Sequence, residues 1–250
     1  MMRCISNHKE NILKRYENNS ILVISDTHFP YHDRNTFQFL KDLNDSFHFD
    51  RVVHTGDLLD SYHASKWVKD PDHPHTAGKE LELARKAVAE LAELFPNMLV
   101  CIGNHDKRME VAGTNAGLSR KLLRPISEVF GFPDGWRFRE EHRITVEATR
   151  QQIVFRHWQG ANALLNSQRA GANFIQGHAH GKCGVYFHSN GKESFFAVQM
   201  PVLISDTGCP FNYSKLMNIN PVRGALIISD GNPILIRQPR NNWRKRGKLT

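Results

Sequence analysis

Residues 98–108 read MLVCIGNHDKR. The run Met98-Leu99-Val100-Cys101-Ile102 is short and continuously apolar, the pattern of a strand buried on both faces. It breaks at Gly103 and then presents an amide, an imidazole and a carboxylate in a row: Asn104, His105 and Asp106. Three polar groups at the end of a buried strand are costly unless they bind something or satisfy one another. The stretch is therefore either an ordinary Asx-type turn or one edge of a reactive site.

Upstream, ILVIS (21–25) and RVVH (51–54) have the same short apolar character. Between them, TFQFLKDLNDSF (36–47) repeats its apolar residues at helical spacing. Residues 79–95 are the clearest helix. Leu81, Ala84, Val88, Leu91 and Phe95 share one stripe, and Pro96 ends it. Strand and helix alternate through the first hundred residues, which predicts an α/β fold with a parallel-type sheet. Residues 61–78 are turn-rich and read as a long loop. Residues 107–150 read as a second insertion, with a short helix near AGLSRKLLRPISEVF (116–130). Beyond it, RITVEA, QIVFRH, NFIQG, GVYFH, SFFAVQM, ALIIS and PILIR are strand-like with little helix between them, so a mostly antiparallel sheet packed on the first is expected. Residues 21–238 form one domain in this reading, preceded by a polar extension (1–20) and followed by a basic tail (239–250).

The polar residues that follow the strand candidates form a series. ILVIS is followed by Asp26-Thr27-His28, and RVVH by Thr55-Gly56-Asp57. MLVCI is followed by Gly103-Asn104-His105-Asp106, QIVFR by His157, and NFIQ by Gly177-His178-Ala179-His180. The carboxyl edge of an open α/β sheet is where ligands bind. Oxygen and imidazole donors without cysteine suit Mn, Fe, Zn, Ni or Co. In Asp26-x-His28 and His178-x-His180, alternate residues of an extended segment point the same way and can reach one pocket. Two cations about 3.5–4 Å apart clamp a phosphate, and a water they share loses its proton at neutral pH and becomes a nucleophile. A group near the leaving oxygen must still supply a proton or a positive charge; His105, oriented by Asp106, is the candidate. Asp60 and His54 are read as structural, and His63, Trp67, Arg108 and Trp158 as residues close enough to touch substrate.

The blocks SDTHF, HTGDLLD, IGNHDKR, FRHWQ and QGHAHG, in this order and each after a strand, resemble the signature of the calcineurin-like metallophosphoesterases. Their compact style is similar to that of small phage or bacterial members. The resemblance spans residues 26–180. It implies a four-layer architecture, a two-sheet β-sandwich flanked by helices, and a binuclear divalent centre, manganese first, with Fe, Zn, Ni, Co or Mg as alternatives. It implies Asp26, His28 and His180 on one metal, Asn104, His157 and His178 on the other, and Asp57 bridging. His105 would then serve the leaving group. The fourth block departs from the family's common His-Gly: here it is His157-Trp158.

Net charge is +8, and Arg237, Arg240, Arg244, Lys245, Arg246 and Lys248 cluster near the end with Trp243 among them. This balance favours a phosphorylated partner, nucleotide or nucleic acid. A nucleotide phosphomonoesterase is expected first; the alternatives are a nuclease or phosphodiesterase, then a serine/threonine protein phosphatase. A metal-holding binding module without turnover is the reading from another class. A mononuclear iron oxygenase is disfavoured by the Asp-x-His order and the excess of ligands. Four cysteines without a CxxC, and no apolar leader segment, predict a reduced, cytoplasmic protein without membrane contact.

Overall fold

A computed structural model describes residues 20–147, 149–205 and 220–239. The N-terminal extension and the tail beyond 239 lie outside the described residues, apart from Ser20. The first sheet has six strands. β1 (Ile21–Ile24), β2 (Arg51–His54), β3 (Met98–Cys101) and β4 (Trp136–Arg139) run parallel. β10 (Gly224–Ser229) and β11 (Asn232–Arg237) add to the free side of β1 antiparallel, giving the order β11-β10-β1-β2-β3-β4. The second sheet contains β5 (Glu141–Thr145), β6 (Gln152–Arg156), β7 (Asn173–Gln176), β8 (Gly184–Ser189) and β9 (Ser194–Gln199) in the order β5-β6-β7-β9-β8.

Period-two alternation explains how the sheets stack. In β1, Leu22 and Ile24 face the helices, whereas Ile21 and Val23 join Ile153, Phe155, Ile175 and Val198 of the second sheet. Helices α1 (Thr36–Ser46) and α2 (Ala77–Leu94) cover the outside of the first sheet. Thr76 caps α2 by accepting the Lys79 N–H, and Ala84, Val88 and Leu91 are buried along the expected stripe. Helices therefore flank two packed sheets in an α/β fold.

Three expectations need correction. ALIIS and PILIR, expected in the second sheet, are β10 and β11 of the first. The second sheet is mixed rather than mostly antiparallel, because β6–β7 and β7–β9 pair parallel. The parallel β6–β7 step is made by a helix absent from the sequence reading, α5 (Ala163–Ala170). It is capped by Asn162 and ended by Gly171, but its buried residues are Ala163, Asn166 and Ser167, so it carries no apolar stripe. The 107–150 insertion also differs: α3 (Arg108–Asn115) starts directly after the GNHD block, and only the short α4 (Ile126–Phe130) falls in the expected 116–130 stretch.

The helix–sheet layer predicts a specific cost. Leu91 is fully buried between α2 and the first sheet. Leu91→Ala should lower unfolding free energy by about 2–5 kcal/mol in chemical denaturation. A loss below about 1 kcal/mol would mean that this layer is loosely packed.

Candidate metal centre

The loops that follow the parallel strands β1, β2 and β3 of one sheet, and β6 and β7 of the other, bring their side chains into one cluster. The β1 and β2 ladder continues past the strands, because Asp26 N–H donates to Gly56 O (3.1 Å) and His28 N–H to Asp57 O (3.0 Å). The loops are sharply turned. Seven non-glycine residues among those described have positive φ, and four of them are Asp26, His28, Asp57 and His178. Such backbone is costly for L-residues and persists where the surroundings impose it, commonly at functional sites. Glycines admit the close approach. At Gly103 a Cβ would overlap the main-chain nitrogen and Oδ1 of Asp57, and at Gly56 (φ +99°) it would enter the His157 ring.

Three donor groups result: Asp26–His28–His180, His28–Asp57–His105 and Asp57–His157–His178, each with donor atoms within 4.8 Å of one another. Asp57 is common to the last two. Its Oδ2 lies 3.1 Å from His157 Nε2, 3.7 Å from His28 Nε2 and 3.9 Å from His105 Nε2, while Oδ1 accepts the His105 N–H at 2.8 Å. Asn104 Oδ1 lies 3.1 Å from His157 Nε2. His180 Nε2 lies 3.2 Å from both Asp26 Oδ1 and His28 Nε2, and His178 Nδ1 lies 3.3 Å from His157 Nε2. Ring nitrogens facing each other at this distance, among buried carboxylates, suit a shared cation. The His/Asp clusters are compatible with a binuclear metal site.

The rings are held from behind, as metal-binding imidazoles commonly are. His157 Nδ1–H donates to Thr55 O (3.1 Å) and His28 Nδ1–H to Asp60 Oδ1 (3.1 Å). His54 is a neutral strut. It accepts the Gly56 N–H on Nδ1 (3.1 Å) and meets Thr27 Oγ1 on Nε2 (3.1 Å), and burial lowers its pKa to about 3.

Charge follows this geometry. Burial opposes a charged imidazole, yet the carboxylates outweigh it: Asp26 and Asp60 raise His28 to about 10, and Asp57 and Asp26 raise His157 to about 9. Burial would raise the Asp26 and Asp57 carboxyls, but the surrounding imidazoles hold both well below the usual range. Burial lowers His105 and His178.

Asp106 departs from expectation. Its oxygens accept the N–H groups of Leu59 (2.9 Å) and Gly103 (2.8 Å), tying the β2 loop to the β3 loop, and burial with the nearby Asp57 charge pushes it up to about 6. The carboxylate on His105 is instead Asp60, whose Oδ1 takes the Nδ1 proton at 2.7 Å. Asp60, read as structural, thus holds both His28 and His105. Its three-residue spacing from Asp57 was the available signal, but it is also ordinary turn spacing. Arg108 joins the site, with Nη2 2.8 Å from His105 Nε2. Trp158 stacks on His178, with centroids 4.9 Å apart and planes at 24°. His63 instead ties its own loop, through His75 O (2.8 Å) and Glu80. Trp67 is 68% exposed beside Lys66, and among the described residues no hydrogen bond or ring contact links it to the centre.

Comparison with known proteins agrees with this architecture. The calcineurin-like phosphoesterase model matches residues 20–198, well over half of the chain. The chain belongs to the calcineurin-like phosphoesterase family. Among solved structures, the phosphoesterase Yfce from E. coli is similar, at 13% identity and TM-score 0.50, with 87% of this chain and 92% of that one covered. A metallophosphoesterase from Sphaerobacter thermophilus aligns at 15% identity and TM-score 0.46, covering 91% and 90%. Vacuolar Protein Sorting 29 from Cryptosporidium parvum aligns at 15% and 0.45, covering 88% and 96%. No curated protein matches the sequence significantly. Among the described residues, no helix is long and apolar enough to cross a membrane.

Two outcomes test the site. With His28 at about 10 and His157 at about 9, both carry a proton at pH 7 that must leave before the ring can bind a cation. Manganese affinity should therefore rise with pH up to that range, and titration calorimetry in buffers of unequal ionisation enthalpy should register proton release; heats independent of buffer would contradict it. Gly103→Ala, by displacing Asp57, should abolish manganese uptake measured by metal analysis.

Proposed function

We propose that this chain is a metal-dependent hydrolase of phosphate esters, with nucleotides as its substrates and monoesters preferred. The observation that carries the hydrolytic reading is the position of Asp57 Oδ2 between donors of the two sheets, 3.7 Å from His28 Nε2 and 3.1 Å from His157 Nε2. Asp26, His28 and His180 would hold one divalent cation and Asn104, His157 and His178 the other, with Asp57 between them; manganese is the first candidate. Two such cations neutralise phosphate charge and lower the pKa of water.

The chain's own residues supply the remainder. Asp57 stays ionised because the imidazoles hold its carboxyl below the usual range against the cost of burial. Asp60 fixes the ring of His105 so that Nε2 faces the donor groups. Asp106 keeps the β2 and β3 loops in register through Leu59 and Gly103. A metal-holding module without turnover has no use for the paired His105 and Arg108 beside Asp57, which favours an enzyme.

Trp158 supports a nucleotide. One face of the indole lies on His178, the residue is 51% exposed, and an aromatic face beside the centre suits a base. The net charge of +8 fits the same class of substrate and also fits a nuclease. The protein phosphatase reading has no comparable feature in its favour.

The test is hydrolysis with added manganese of nucleoside monophosphates, ribose 5-phosphate, bis-p-nitrophenyl phosphate and single-stranded DNA. Monophosphates should be the fastest, and Asp57→Asn should lose metal and nearly all turnover. Trp158→Ala should raise KM for nucleoside monophosphates about 5–150-fold, matching about 1–3 kcal/mol per stacked base, and leave ribose 5-phosphate unchanged. Equal effects on both would remove the base from the proposal, and faster DNA cleavage would make the protein a nuclease.

A further inference from the structure

A guanidinium stands beside His105 at the edge of the donor groups. Arg108, the first residue of α3, turns back from the helix and is largely buried, with a side chain 17% exposed. Nη1 donates to the Asp60 main-chain oxygen at 2.9 Å and approaches Asp60 Oδ1 at 3.4 Å. Nη2 lies 2.8 Å from His105 Nε2. A guanidinium has donors only and keeps its protons. His105 Nε2 must therefore accept this bond, and the single ring proton lies on Nδ1, where Asp60 Oδ1 takes it at 2.7 Å. On the side facing Asp57, His105 has no proton to give.

We propose that Arg108 is a catalytic residue that stabilises the leaving oxygen of the phosphoester directly, with Asp60 and His105 as its positioning residues. This rests on the phosphoesterase reading above and changes which group meets the departing oxygen. The oxygen of a water forms the new P–O bond. The P–O bond to the leaving group breaks, and its electron pair stays on the leaving oxygen. That oxyanion accepts a hydrogen bond from Arg108 Nη2–H in place of His105 Nε2, then takes a proton from solvent. The proton lost by the attacking water returns to solvent, so the sum is ester plus water to alcohol plus phosphate. The charge comes from a permanent cation, held on two oxygens of one residue, and preorganised donors of this kind are worth most where charge develops. A purely structural Arg108 would only pin α3 to the β2 loop.

Kinetics and spectroscopy separate the two roles. In manganese, Arg108→Ala should lower kcat about 10²–10³-fold on a nucleoside monophosphate, whose alkoxide leaving group is poor, and far less on p-nitrophenyl phosphate. Added guanidinium should restore part of the loss. Arg108→Lys, with a charge but no planar fork, should fall between the two. Independently of activity, nitrogen-detected NMR of the magnesium-loaded chain should show His105 protonated on Nδ1 and bare on Nε2, the signal being assigned by its loss in His105→Asn. Equal loss on both esters with no guanidinium rescue would make Arg108 structural and overturn the proposal. A proton on His105 Nε2 would also overturn it and return the acid role to His105. A wild type that hydrolyses neither ester with any of the candidate cations would remove the phosphoesterase reading itself, and the proposal with it.

Discussion

Three aspartates, Asp26, Asp57 and Asp60, are buried to 1% exposure or less within one small volume. Carboxylates taken out of water must be matched by positive charge or by donors, and like charges at close range make the demand steeper. The imidazoles of His28, His105, His157 and His180 answer part of it. The backbone answers another part: His178 N–H meets both Asp26 oxygens, at 3.2 and 3.1 Å, and His105 N–H meets Asp57. The site is thus a set of charges that hold one another in place, and cations would complete it. This demand explains the bends in the loops. Asp26, His28, Asp57 and His178 accept left-handed backbone because no straighter path brings their side chains to one point.

The core makes that concentration of charge tolerable. Two apolar layers, one between helices and sheet and one between the sheets, run up to the strand ends and stop there. The strands that lead to the site end in register within each sheet, Ile24 beside His54 and His54 beside Val100 in the first and Arg156 beside Gln176 in the second. Hydrophobic burial fixes the strands, and the strands fix the origins of five separate loops. Asp106 then joins two of those loops by accepting a main-chain N–H on each oxygen.

Much of this was legible because the relevant signals are local. Short apolar runs ending in Asp, His or Asn mark strand and loop together, and the stripe of α2 follows from spacing alone. What was illegible depends on partners distant in sequence. Helix α5 hides because Asn166 is buried on Gln176 (2.8 Å) and Ser167 on Ala172 O (2.6 Å), so its inward face is polar. The direction of the β6–β7 pair could not be read without that helix. Asp106 adjoins His105 in sequence, yet successive residues in a turn point apart, and the orienting carboxylate came from Asp60, forty-five positions away.

Asp60 also couples two functions that sequence treats as separate. One oxygen, Oδ1, receives His28 Nδ1 at 3.1 Å and His105 Nδ1 at 2.7 Å, and Arg108 Nη1 approaches it at 3.4 Å. His28 belongs to the donor group of Asp26 and His180 and also to that of Asp57 and His105, and Arg108 adjoins His105. A shift of this carboxylate would therefore move His28, His105 and Arg108 together. Because the three donors share one acceptor, each also weakens or strengthens the hold on the other two. His28, His105 and Arg108 are thus a single hydrogen-bonded unit, anchored at the third residue past Asp57.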